Sequence, residues 1–100
     1  MSFVLVGGHD RMHSEYKVIG KKNGAKVKVF TQLPARFEKC IGTPDAIFIF
    51  TSTVSHKMLR IAEKQAKRKN IMVIKSHSSS GSALKKAILE FSKRLKEQAS

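Results

Sequence analysis

Residues 46–56 read Ala46-Ile47-Phe48-Ile49-Phe50-Thr51-Ser52-Thr53-Val54-Ser55-His56. The first five are all apolar and mostly β-branched or aromatic, the pattern of a strand covered on both faces. A hydroxyl-rich loop follows. From about Ser55 to Lys69 the spacing changes to that of a helix, with Met58, Leu59, Ala62 and Ala66 on its inner side. A doubly covered strand that runs through a polar loop into an amphipathic helix is half of a β-α-β unit.

The rest of the chain repeats this unit. Phe3-Val4-Leu5-Val6, Val27-Lys28-Val29-Phe30 and Ile71-Met72-Val73-Ile74 are the other short apolar runs. Lysines at 26 and 28 mark the second run as an edge strand. Between the runs, Met12, Tyr16 and Ile19 fall on one helical face, and Gly20 and Gly24 bracket the exit from that helix. A shorter segment opens at Pro34, places Phe37, Cys40 and Ile41 on one side, and closes at Gly42 and Pro44. After Ser80-Gly81-Ser82, a last helix carries the stripe Leu84, Ala87, Ile88, Phe91, Leu95. Strict alternation with right-handed crossovers predicts an α/β fold. The expected architecture is a four-stranded parallel sheet, Rossmann-like or flavodoxin-like, in strand order 2-1-3-4 with helices on both faces.

One hundred residues allow one domain, so 1–100 is expected to be a single Rossmann-like α/β domain. An apolar fraction of 41%, arranged in periodic blocks, excludes a disordered chain. One cysteine excludes a disulfide framework or a multi-cysteine metal site within the chain. No apolar run is long enough to cross a bilayer, and the opening Met-Ser-Phe-Val-Leu-Val-Gly-Gly lacks a basic leader. The expectation is a cytoplasmic protein with no membrane partner. An exposed sheet edge, above all the Val27 strand, makes a homo-oligomer a further expectation.

In such sheets ligands bind at the carboxyl ends of the strands, where the strand order reverses. Three post-strand loops should meet there: Gly7-Gly8-His9-Asp10-Arg11, Thr51 to His56, and Ser76-His77-Ser78-Ser79-Ser80-Gly81. The two glycines would let backbone approach a ligand and present N–H groups, and helix starts near His9, Ser55 and Ser80 would add partial positive charge. The candidate ligand-binding residues are therefore Gly7, Gly8, His9, Asp10, Arg11, Thr51, Thr53, Ser55, His56, Ser76, His77, Ser78, Ser79 and Ser80. The ligand class is an anionic small molecule, most simply a nucleotide-like one. The same residues have plainer uses, since Gly-Gly permits a tight turn and serines cap helices. Asp10 is the only carboxylate near the crevice; it could orient His9 or His13, pair with Arg11, or simply sit in a helix first turn.

Several motifs are absent. No third glycine follows Gly7-Gly8 at dinucleotide-binding spacing, and there is no Gly-Lys-Ser/Thr phosphate loop. No paired aspartates end the first strand. Cys40 falls on an apolar face and reads as a structural thiol. No general base has a nameable partner, so no catalytic constellation emerges. His9 and His13 lie one turn apart, and with His56 and His77 they define an alternative reading, a histidine-ligated haem or divalent metal.

Gly7-Gly8-x-Asp10-Arg11 after the first strand, with Val54-Ser55-His56 opening the third helix, resembles the small bacterial domain-of-unknown-function family numbered 2325. The resemblance spans nearly the whole chain, including Lys64-x-x-Lys67 and the serine-rich loop. It implies a Rossmann-like fold and functional roles for Gly8, Asp10, Arg11, Ser55 and His56. Family members often carry Asp, and some Cys, just ahead of Val-Ser-His. Here Ser52 and Thr53 stand there, which removes the group a thiol- or carboxylate-dependent role would need. The family implies no established reaction.

Twenty Lys+Arg against seven Asp+Glu give a net charge of +13. Lys57, Arg60, Lys64, Lys67, Arg68 and Lys69 crowd the third helix, and Lys85, Lys86, Lys93, Arg94 and Lys96 the fourth. If both helices lay on one side of the sheet they would form a basic plate for nucleic acid, with Lys57, Arg60, Lys64, Lys67, Arg68 and Lys85 as its contacts. No aromatic side chains interleave with these cations, because the phenylalanines of the runs belong to covered strands. The competing reading is a set of solvated lysine-rich helix faces.

Overall fold

The computed structural model describes residues 1–99. Strands β1 (Ser2–Val6), β2 (Lys26–Phe30), β3 (Ala46–Phe50) and β4 (Met72–Ser76) form one parallel sheet in the order β2-β1-β3-β4. Helices α1 (His13–Lys22), α2 (Phe37–Cys40), α3 (His56–Lys69) and α4 (Gly81–Ala99) cover it. The expected fold class is the observed one.

All five β3 residues are fully buried, because β3 is central and both its faces are covered. Phe3, Leu5, Phe48 and Phe50 pack toward Tyr16, Leu84, Ile88 and Phe91 of α1 and α4. Val4, Val6, Ile47 and Ile49 pack toward Phe37 and Ile41 and toward Met58, Ala62 and Ala66 of α3. The Phe48 and Phe91 rings flank Phe3 at centroid distances of 4.6 and 5.0 Å. Right-handed crossovers fix which helix lies where. The chain moves one way from β1 to β2 and the other way from β2 through β3 to β4. Consequently α1 lies on one face and α2 and α3 on the other, and α4 returns beside α1.

That layout corrects the basic plate. Lys57, Arg60, Lys64, Lys67 and Arg68 belong to α3, Lys85 belongs to α4, and the two helices are separated by the sheet. Three further positions differ from expectation. Ile71 precedes the fourth strand: Asn70 ends α3 in the left-handed conformation, and the Ile71 N–H donates back to the Ala66 carbonyl at 2.8 Å. The first helix starts at His13 instead of near His9, because Gly7 and Gly8 both have positive φ, His9 is extended and a single 3-10 turn (Asp10–Met12) follows. Leu95 is half exposed. A 19-residue α4 runs for about 28 Å at about 1.5 Å per residue, which exceeds the roughly 17 Å of a five-residue strand.

The β2 edge is blunted. Phe30 gives its carbonyl to the Gly7 N–H, so the preceding Val29 carbonyl points outward, where it accepts from the His13 ring Nε2 at 3.2 Å. Lys26 and Lys28 are exposed on the same strand.

Gly20 sits where α1 crosses β2. A Cβ there would fall inside contact distance of the Val27 Cγ2 methyl and 3.2 Å from the Ala25 carbonyl oxygen. Alanine at a helix interior ordinarily gains about 1 kcal/mol over glycine, whereas overpacking costs about 1–3 kcal/mol. Val27 is β-branched and cannot swing aside. Gly20→Ala is expected to lower the urea midpoint at unchanged m; a rise would mean that α1 shifts freely over β2.

Candidate functional site

At the end of β1 the chain turns through two residues that only glycine fits comfortably. Gly7 has φ 100° and Gly8 φ 93°. A Cβ on Gly7 would lie 2.9 Å from the Phe50 carbonyl oxygen, and one on Gly8 would lie 2.8 Å from the Tyr16 ring. Their N–H groups are used within the fold. Gly7 donates to the Phe30 carbonyl at 2.9 Å, Gly8 to Thr53 Oγ1 at 2.6 Å, and His9 to the Tyr16 hydroxyl at 3.3 Å. The expectation that this backbone presents free donors to a ligand is corrected: its close approach is to the β3 loop and to Tyr16.

Those bonds belong to one network joining the three post-strand loops. The Tyr16 hydroxyl donates to the Ser79 carbonyl at 2.6 Å. Ser79 Oγ lies 2.9 Å from Thr53 Oγ1 and 3.4 Å from Ser52 Oγ. Thr53 Oγ1 is 3.3 Å from the Phe50 carbonyl, to which it donates. Each hydroxyl carries one proton and two lone pairs. A single assignment satisfies the set: Ser52 donates to Ser79, Ser79 to Thr53, and Thr53 to Phe50, while Gly8 also donates to Thr53. Tyr16 and Ser79 are buried, and among the described residues no buried side-chain polar atom lacks a partner. The three loops do converge, and the buried Gly7, Gly8 and Ser79 fill the notch between β1 and β3.

The remaining candidate residues divide by role. Ser55 Oγ caps α3 by accepting the Met58 N–H at 3.2 Å, and Ser80 Oγ caps α4 by accepting the Ala83 N–H at 3.1 Å. Ser78 Oγ donates to Ser80 Oγ at 3.1 Å, Ser76 Oγ to the Ser78 carbonyl at 3.0 Å, and Thr51 Oγ1 to the Ser76 carbonyl at 3.4 Å. Asp10 neither orients His9 or His13 nor pairs with Arg11. Its two oxygens accept from Thr31 Oγ1 at 2.5 Å and Gln32 Nε2 at 2.7 Å, tying the β1 loop to the β2 loop. The Thr31 bond, then the Gln32 bond, hold its carboxyl below the ordinary value, with a smaller contribution from the His13 charge.

The side chains of His9, Arg11, His56 and His77 are exposed on this edge of the sheet and make no hydrogen bond or ion pair among the described residues. No group of three or more His, Cys, Asp or Glu side chains placed to hold a metal forms among the described residues. The expected grouping of His9, His13, His56 and His77 does not form, and His13 turns to the β2 edge, where its ring meets the Val29 carbonyl. Cys40 is partly buried against the α3-side core, with Sγ donating to the Arg36 carbonyl at 3.5 Å.

Open space lies beside the filled notch. A groove of about 450 Å³ follows the β4 edge along the start of α4, and its polar lining includes Lys75, Ser76, Ser78, Ser80, Ser82 and Lys86. Sequence reasoning missed Lys75, Ser82 and Lys86 because they lie before or after the loop itself. It also took Tyr16 for an ordinary core residue. The available signal was a lone tyrosine, two turns after Gly-Gly, on an otherwise aliphatic stripe.

Sheet order, crossovers and the polar rim at the strand ends define a small Rossmann-like α/β domain. Residues 2–91 match the family described as an uncharacterized protein conserved in bacteria (DUF2325), and the chain belongs to that family. No curated protein matches it. Among solved structures it is similar to a de novo designed Rossmann fold protein. The two are 23% identical, with a TM-score of 0.62 over 93% of this chain and 99% of that one. At that identity the likeness speaks to the fold. No helix among the described residues is long and apolar enough to cross a membrane.

Tyr16→Phe keeps the ring and leaves the Ser79 carbonyl and His9 N–H without their partner. A loss of about 1–3 kcal/mol is expected in denaturant unfolding, with faster amide exchange at His9; a neutral variant would show that water replaces the hydroxyl. For Asp10, a carboxyl held below its unfolded value adds stability above that value and loses it as pH falls through the folded one. The Gln32 side-chain NMR signals should therefore move with a midpoint below the ordinary carboxylate value. Asp10→Asn should abolish that movement.

Proposed function

We propose that the protein is a binding module for a phosphorylated, nucleotide-like small molecule, held in the groove at the carboxyl end of β4 and the start of α4. The observation that carries this reading is the lining: hydroxyl residues Ser76, Ser78, Ser80 and Ser82 with the cations Lys75 and Lys86 around one space, whose one carboxylate, Glu90, is paired with Arg94 at 2.8 Å. Its volume is that of a small-ligand site. Lys75 is held at 2.9 Å by Glu63, so Lys86 is the cation of the groove left to pair with an incoming anion. The first N–H groups of α4 lack intrahelical acceptors and point the positive end of the helix dipole at the same place. A phosphate would lie against that end, with Ser80 and Ser82 donating to its oxygens. His77, partnerless on the loop, would meet the rest of the molecule.

The test is an NMR titration of purified protein with inorganic phosphate, AMP and ATP, following the amides of residues 76–83. Saturable shifts with at least one nucleotide are expected, weakened more than about tenfold, or about 1.4 kcal/mol, in Lys86→Glu. The absence of saturable shifts with all three probes would refute the reading. Tyr16 is the only tyrosine and there is no tryptophan. A retained nucleotide would therefore dominate the ultraviolet spectrum of the protein as purified, whereas a visible band would point to haem.

A further inference from the structure

We infer that the outward face of α3 is a docking surface for the phosphate backbone of double-stranded nucleic acid. Met58, Ala62, Gln65 and Ala66 are the buried residues of this helix and define its inner side. At about 100° per residue, the opposite arc, itself about 100° wide, holds Lys57, Arg60, Lys64, Lys67 and Arg68 and nothing else. All five are exposed, and none makes an ion pair among the described residues. The one acid on the helix, Glu63, lies beside this arc and pairs with Lys75 of β4, not with its i+4 neighbour Lys67. A solvated helix face ordinarily interleaves acids and bases at i,i+4. Here the neighbours along the stripe are all of like charge, and Lys57 and Arg60 stand toward the positive end of the helix dipole. Lys67 and Arg68, in the last turn, are favoured by the dipole; the like-charge spacing along the rest of the stripe is not offset within the fold, and a polyanion would relieve it.

The chemistry selects among polyanions. From Lys57 to Arg68 the stripe runs for about 16 Å, one cation per roughly 4 Å, close to the roughly 3.4 Å of axis per phosphate on one duplex strand. The apolar side of α3 is locked in the core, so this helix has no free face to insert into a bilayer. No aromatic side chain stands in the stripe to stack on an unpaired base. The contact is therefore with backbone, independent of base sequence, and strongly salt-dependent. It involves neither the β4 groove nor its serines.

The experiment is fluorescence anisotropy of labelled 20-base-pair DNA and RNA duplexes from low to moderate salt. Five backbone contacts predict a slope of log K against log[salt] near about −4.5. R60E/K64E/R68E should flatten it to about −2 and weaken binding more than about tenfold. K17E/K21E/K93E, which changes net charge equally on the α1 and α4 side, should retain most of the affinity, as should the groove variant Lys86→Glu. Circular dichroism checks the fold, and R60Q/K64Q/R68Q replaces the reversal if it fails. Equal loss in the stripe variant and the α1/α4-side variant would overturn the inference, since net charge alone would then be acting. No duplex binding, including the case in which the protein binds only phosphatidylserine-containing vesicles, would overturn it too.

Discussion

A strand with no wet side sets the terms for this molecule. β3 exposes none of its five side chains, so both faces of the sheet must be covered, and the described residues form four α-helices with which to do it. Two fall on each face. For α1, α2 and α3 that division follows from the strand order and the handedness of the crossovers, and α4 packs beside α1. It dictates where every surface feature can be: the cations of α3 and α4 cannot meet, and the carboxyl ends of all four strands share one edge.

At that edge the fold solves a second problem. Three loops leaving adjacent strands bring backbone amides and hydroxyls into a partly dry notch, where each must find a partner. Tyr16 supplies the solution from outside the loops, accepting from His9 and donating to Ser79, while Thr53 gathers Gly8 and Ser79. The result is a rim whose buried polar groups are paired. Its cost is that the switch point, where such folds ordinarily leave a crevice, is filled by the protein's own groups. Open volume moves sideways to the β4 edge, where the serine loop has one neighbouring strand instead of two.

The fold was legible in the sequence because a doubly covered strand leaves a continuous apolar run, and four such runs with helices between them admit few topologies. Val27 and Val29, flanked by Lys26 and Lys28, announced an edge because that strand has a wet side. Boundaries were less legible where backbone conformation decides them. Nothing in the letters at 7–9 says that Gly7 and Gly8 both take positive φ and postpone α1 to His13. The convergence of loops could be read from topology, whereas the partners of their polar groups could not. Thr31 and Gln32 meet Asp10 across 21 and 22 residues, and Tyr16 meets Ser79 across 63. Such pairings depend on side-chain directions that exist only once the sheet is assembled. The basic plate does not form for a related reason: the charge of each helix is visible in the sequence, whereas the face it takes is set only by the assembled sheet.

The similarity to a designed Rossmann fold protein is one of fold. The architecture follows from strand pattern, helix caps and right-handed crossovers, and a fold of this kind carries no function by itself. Tyr16, the glycines and the capping serines serve that architecture. The partnerless side chains of His9, Arg11, His56 and His77 do not, nor do the cations of the α3 arc ahead of its last turn. Along that arc, like charges at i,i+3 and i,i+4 each oppose the helix by about 0.2–0.5 kcal/mol. Features that folding neither needs nor rewards are where a reason outside the fold has to be sought. On this chain they lie on the strand-end rim and the outer side of α3.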